Sequence, residues 1–253
     1  RKAIRSAVKQ ALAGKLFLLS AAGVSMLLFL SSVREIAAAF RSEELLANGF
    51  YHTLILDALS SDGMMLALPI LAALPFTASV VEDVKSGFIK AYLPRASMKG
   101  YIAGKVMAGI LSGGLVFVLG IFAAYGLAAL WFTPMEASAE AGAELPARFL
   151  ALMGRVLLYF CSGAFWSMMG MLFAALTESK YMAYASPFVF YYVLIILYER
   201  YFDTLYVLYP KEWVMPSERW VFGDTGVVLF VAELTVLAAL CFAAAAKRRL
   251  SQI

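Results

Sequence analysis

The chain has 253 residues, 63% of them hydrophobic and 15% charged, with a formal net charge of +4 and a mean hydropathy of +0.82. A soluble domain of this length could not hide so much apolar surface, so composition excludes an ordinary water-soluble fold and implies a multi-span membrane protein. The apolar runs last about 18 to 28 residues, enough to cross a hydrocarbon core of about 30 Å as helices, and the short alternating segments of a membrane barrel are not visible.

In chain order, residues 1–15 place Ile4, Val8, Ala11 and Leu12 on one helical face and Arg1, Lys2, Arg5, Lys9 and Lys15 on the others. That pattern suits an interfacial amphipathic helix on an anionic leaflet, and equally a positive flank for the first span. Six spans follow: 16–33; 64–81, kinkable at Pro69 and Pro75; 106–132; 149–176; 182–198, with Pro187 in its first turns; and 227–246. The first run lacks a good small-x-small cleavage site and is too long for a leader's apolar core, so it reads as a span. The connection 34–63 is polar with a short amphipathic stretch, and 133–148 is acidic and Ala-rich. The segment 199–226 interleaves Tyr201, Phe202, Tyr206, Tyr209, Trp213, Trp220 and Phe222 with charges and two prolines. It fits an aromatic belt at headgroup level or a short re-entrant hairpin.

Orientation follows from the basic residues. With the N-terminus inside, fourteen of the 21 Lys and Arg lie on that side, and only Glu82, Asp83 and Glu178 of the 17 acids. The expected fold is therefore an all-α membrane protein: six transmembrane helices in a single domain, N- and C-termini cytoplasmic, multi-pass in the cell membrane.

Little in the chain points to catalysis. There is no G-x-x-x-x-G-K-[ST] stretch; Gly100-Tyr-Ile-Ala-Gly104-Lys105 lacks its spacing and its Ser/Thr. His52 is the one histidine, Cys161 and Cys241 both lie inside apolar runs, and Glu43-Glu44 has no partner base, so neither a metal site nor an enzyme is expected. Two ionisable residues fall within spans. At about 1.5 Å per residue, Arg155 is about 32 Å above the inner end of its span and can snorkel, while Glu233 is about 20 Å above that of its own. Glu233 thus needs a partner donor or a water-filled path. Small residues at Gly109, Gly113, Gly163, Ser167, Gly170 and Ala174 mark close helix packing.

The polar stretch 82–105, EDVKSGFIKAYLPRASMKGYIAGK, carries the most information. Val84, Phe88, Ala91 and Tyr92 form a helical stripe, decorated by Glu82, Asp83, Lys85 and Lys90. Pro94 disfavours helix at Leu93, and Ser97 can cap a new helix through Tyr101 and Lys105. The result is a short charged elbow, which a soluble motor could push, or else a solvated loop with positive-inside charge.

The residues Asp83, Gly87, Leu93, Pro94, Ser97, Tyr101 and Lys105 form an arrangement acid–x4–Gly…Leu-Pro-x-x-Ser…Tyr-x-x-x-Lys. It resembles the segment after the second span in type-2 ABC-exporter permeases. Six spans, both termini inside and a basic N-terminal helix are also similar to that family. One departure is that the Arg expected beside the Ser precedes it, as Arg95, with Met98 after. The resemblance implies a homodimeric or heterodimeric membrane subunit, with ATP and Mg held by separate ATP-binding-cassette subunits and no cofactor of its own. Glu82, Asp83, Lys85, Gly87, Phe88, Tyr92 and Arg95 would contact those subunits by way of a coupling helix between spans 2 and 3. Cargo would pass along spans 1, 2 and 5, near Met65, Pro69, Phe76, Phe188, Tyr191, Tyr192 and Ile195, with Glu233 as a further candidate. Such an apolar, aromatic lining suits a hydrophobic or amphipathic peptide, lipid or drug. Nucleic acid is not an expected partner. Two alternatives stay open: a secondary transporter or channel using Glu233, and a non-transporting scaffold or immunity subunit.

Overall fold

A computed structural model describes residues 2–42, 44–92, 97–137 and 145–252. Among them the chain is helical throughout, with one isolated parallel bridge between Leu46 and Glu136. The helices are α1 (Lys2–Leu12), α2 (Lys15–Ser31), α3 (Val33–Arg41), α4 (Phe50–Leu59), α5 (Asp62–Ala73), α6 (Ser79–Lys85), α7 (Phe88–Tyr92), α8 (Met98–Phe132), α9 (Leu145–Thr177), α10 (Lys180–Arg200) and α11 (Gly223–Leu250). Four segments are long and apolar enough to cross a membrane: Met98–Met135, Ala147–Thr177, Lys180–Arg200 and Gly223–Leu250. Two bent pairs, α1 with α2 at 48° and α4 with α5 at 66°, raise the number to six if each is one span. This architecture is that of a multi-pass membrane protein.

The bundle is built on α8 and α9, which cross where neither has a side chain to keep them apart. An added Cβ at Gly113 would come within 2.6 Å of the Gly163 carbonyl oxygen. Small residues at these positions let the backbones touch, the usual route to helix association in a solvent as apolar as the side chains. The same device recurs at Gly120, where Ser25 of α2 donates to the Gly120 carbonyl at 2.7 Å. At Gly170 a Cβ would meet Thr77 and the Ala183 carbonyl. Around this pair, α2 and α4 pack on α8, α10 and α11 on α9, and α5 reaches both. Helix α1 crosses the first turns of α8 at Gly104, beside Ala3 and Ala7.

Two features depart from the sequence expectation. The stretch 64–81 is not one continuous helix: α5 tolerates Pro69 but ends at Ala73, and a turn through Pro75 separates it from α6. A Pro at that point removes one backbone donor and clashes with the preceding turn. The connection 34–63, expected as polar with one short amphipathic stretch, is more helical and more buried than that. It contains α3 and α4, and α4 buries His52, Leu54, Ile55, Ala58 and Leu59.

Segment 199–226 forms a cap with short 3-10 turns at Tyr206–Leu208 and Pro210–Trp213, not a helical hairpin. Trp213 enters the bundle, stacked on Trp166 at 5.7 Å and edge-on to Phe165 at 5.2 Å. Its indole donates to the Val207 carbonyl at 2.8 Å, so burying the ring leaves no unpaired N–H. Arg155 donates to the Val214 carbonyl at 3.0 Å and so ties the cap to α9. Lys211 bonds Asp62 at 3.0 Å, and that hydrogen bond holds the ammonium above its ordinary pKa.

The α8–α9 crossing makes a direct prediction. Gly113→Ala overpacks the contact and lowers stability by about 1–3 kcal/mol, read as a lower thermal midpoint in detergent. Gly126→Ala, where an added Cβ meets nothing within 4 Å, leaves the midpoint unchanged.

Candidate functional site

The elbow lies at the end of the bundle opposite the cap. Its path is set by Gly87, whose φ of +74° is a left-handed conformation that only glycine adopts without strain. It ends α6 and launches α7. On the far side, Ser97 accepts from the Gly100 N–H at 3.1 Å and caps α8. Leu93, Pro94 and Arg95 lie outside the described residues.

One buried contact joins the two halves. Tyr101 and Lys105 are one helical turn apart on α8, so their side chains share a face. Both reach Asp83 on α6: the Tyr101 hydroxyl donates to Oδ2 at 2.7 Å and the Lys105 ammonium pairs with the same oxygen at 2.8 Å. The Lys105 side chain is 3% exposed and that of Asp83 16%. The ammonium has no other hydrogen-bond partner among the described residues. It lies instead 4.7 Å from the Phe76 ring centroid and 5.5 Å from that of Tyr101. Burial disfavours this cation, whereas Asp83 and the ring faces favour it. Asp83 is therefore the partner on which a charge in this place depends.

Around that pair the elbow presents a firm outer surface. Ile89 is buried and anchors α7. Phe88 is 46% exposed and stacks on Tyr92 at 5.2 Å, and Tyr92 in turn leans on Tyr101 at 5.8 Å. Lys85 and Lys90, on α6 and α7, are both exposed to solvent. Glu82 pairs with Lys180 at 2.8 Å at the start of α10; both groups are open to water, so this bridge contributes little to stability. The surface of α1 closes a small groove of about 60 Å³ against Phe88, Tyr92 and Asp83. The arrangement holds no nucleophile with an adjacent base; what it offers is a rigid aromatic and basic contact face.

The residues read as a cargo path do not share one surface. Met65, Pro69, Phe76 and Tyr191 are buried inside the chain. Phe188 and Ile195 are half-buried on α10, and Tyr192 is exposed. Glu233 is exposed too, on the outer side of α11 beside Leu229, Val236 and Leu237, with no partner among the described residues. Phe76 has a role that spacing alone did not indicate, as the ring under Lys105. Also missed was Glu136, whose carboxylate accepts from the Gly49 and Tyr51 N–H groups at 2.9 and 3.2 Å and caps α4. Those partners are far apart in sequence, and no local pattern signals them. Among the described residues no three His, Cys, Asp or Glu side chains gather as a metal site.

Neither a protein-family model nor a curated protein matches the chain.

Breaking the Asp83–Lys105 pair from one side is predicted to cost about 3–5 kcal/mol, because it strands a buried charge. Asp83→Leu does the greater damage, since Lys105 is the deeper partner. Asp83→Leu combined with Lys105→Met recovers much of the loss. Thermal unfolding of the three variants in detergent measures this order.

Proposed function

We propose that the chain is the membrane-spanning permease subunit of an ATP-driven exporter of the ABC type. In this reading α2 is one span, with α1 bent 48° away from it along the interface, and the bent pair α4–α5 is another, giving six. Both termini and the elbow face the cytoplasm, a reading supported by the fourteen basic residues on that side. Separate ATP-binding-cassette subunits bind ATP and Mg and dock on the elbow and α1, and two permease subunits, identical or different, form the translocating unit.

The observation that carries the reading is the meeting of Asp83, Tyr101 and Lys105 at one buried contact. These three belong to the motif that resembles the exporter permeases, and together they lock the elbow to the foot of α8. A push on Phe88 and Tyr92 would then reach α8, and through the Gly113–Gly163 crossing α9, without being absorbed by a soft loop. Helix α8 is about 52 Å long at 1.5 Å per residue, longer than the hydrocarbon core. Its first turns therefore stand clear of the lipid, where a soluble subunit can reach them.

Cargo of hydrophobic or amphipathic character fits the apolar and aromatic faces that the helices present. Tyr192 already faces outward on α10, beside Val189 and Ile196. Met65, Pro69 and Tyr191 would line a path only after the helices rearrange during the transport cycle.

The test is reconstitution with an ATP-binding-cassette subunit that co-purifies with this chain. Phe88→Ala removes the exposed ring and is predicted to weaken subunit affinity about tenfold or more, with a matching loss of permease-stimulated ATP hydrolysis. Transport by the chain without any ATPase, or full stimulation by the Phe88→Ala variant, would contradict the assignment.

A further inference from the structure

The elbow end holds a second feature that the coupling role does not use. The last turns of α9 and α11 leave a cavity of about 180 Å³ between them, lined by Ala175, Leu176, Ala245, Arg248, Arg249 and Gln252. A smaller, apolar cavity of about 30 Å³ adjoins it and shares Ala175 and Arg249. It runs under α6 between Val81, Ala174 and Leu250, with Lys85 and Glu178 at its mouth.

The charges around this space do not balance. Among the described residues Glu178 is the one carboxylate on the two cavities, and it is engaged by Arg249. Arg249 still has a buried Nε without an acceptor. Arg248 is exposed and has no partner among the described residues. The Arg248 guanidinium and the Gln252 amide thus line the cavity with no anion beside them among the described residues, next to an Arg249 that Glu178 engages through one nitrogen only. Lys247, Arg248 and Arg249 all suit the carbonyl end of α11, but only Arg248 and Arg249 also line the cavity. Its volume far exceeds the roughly 10–15 Å³ that admits one water, leaving room for a phosphate and its hydration. Apolar surface begins at once beside it, with Leu176 of its own lining exposed.

We propose that this cavity binds the phosphate of an anionic phospholipid, its acyl chains lying along α9 and α11. Guanidinium forks match phosphate oxygens in geometry and charge, and basic pockets between membrane helices on the cytoplasmic side hold anionic headgroups. The inference rests on the membrane placement proposed above, with this end cytoplasmic, and not on the ATPase partner. Through Arg249, which lines both cavities, a bound lipid would link α11 to the space under the helix that leads into the elbow.

The experiment uses the full chain in mixed micelles of phosphatidylcholine and phosphatidylglycerol, with retained lipid counted by native mass spectrometry. Wild type retains phosphatidylglycerol selectively. Arg248→Ala lowers that retention about tenfold, while Arg248→Lys, which keeps the charge and loses the fork, falls between. Lys247→Ala removes the same charge one residue away and changes retention less than about twofold. Equal losses in Arg248→Ala and Lys247→Ala would reduce the effect to surface charge and overturn the site, as would no loss in either. Displacement of the lipid by inorganic phosphate would assign the cavity to a soluble anion and overturn the lipid. A chain that inserts into bilayers yet shows no selectivity removes this proposal alone, whereas failure to insert removes the membrane placement as well.

Discussion

A single buried ion pair, Asp83 with Lys105, governs the organisation of the elbow end. Lys105 lies among the rings of Phe76 and Tyr101, where an ammonium is costly unless an acid meets it. Asp83 can meet it only if α6 runs back against the first turns of α8. The charge therefore dictates a fold: the two helices and the turn between them must close on each other, or a cation is left stranded. Tyr101 adds a hydroxyl donor to the same carboxylate oxygen, so both partners that hold Asp83 come from one turn of α8. An apolar contact of the same size would hold the helices as well, but it would tolerate sliding. A pair with one acceptor oxygen and two donors does not, which suits an element that has to transmit displacement.

The two ends of the bundle solve different problems with different chemistry. Between them, α8 and α9 touch through glycines, a contact that works by shape. At the far end the cap closes the bundle with rings, Trp213 against Trp166 and Phe165, and the irregular backbone there is served by Arg155 and by the Trp213 indole itself. Backbone without helix or sheet is tolerated near a membrane only where such donors and acceptors are supplied. At the elbow end the chemistry is ionic, with Asp83–Lys105, Glu82–Lys180 and Glu178–Arg249 all drawn from residues that the charge distribution places together.

Much of this was legible in the sequence, for physical reasons that vary by element. Long apolar runs reveal α9, α10 and α11 because nothing else accommodates them. Helix α8 begins about two turns before its apolar run does, and Ser97 is the residue that marks the true start. The Tyr101/Lys105 spacing points to a shared helix face, but the stripe Val84, Phe88, Ala91 and Tyr92 is not one helix, because the left-handed Gly87 divides it into α6 and α7. The departures concern places where distant parts of the chain decide. Helix α4 reads as a polar connection because its caps come from elsewhere: Glu136 at its first turn, and the Tyr159 hydroxyl on the Leu59 carbonyl at its last. Trp213 reads as an interfacial ring because composition cannot show that the bundle has a hole for it. Depth alone marks Glu233 as needing a partner or a path; packing sets its face and turns it outward, away from the other helices of this chain.

The central claim is that the elbow is where a nucleotide-hydrolysing subunit grips this chain. Its most direct test is site-specific photo-crosslinking in the assembled complex, with the probe at Phe88 on the elbow and, separately, at Tyr206 on the cap. The account predicts a crosslink to the ATP-binding-cassette subunit from position 88 and none from position 206. A crosslink from the cap, or none from the elbow in a complex that still hydrolyses ATP under permease control, would contradict it.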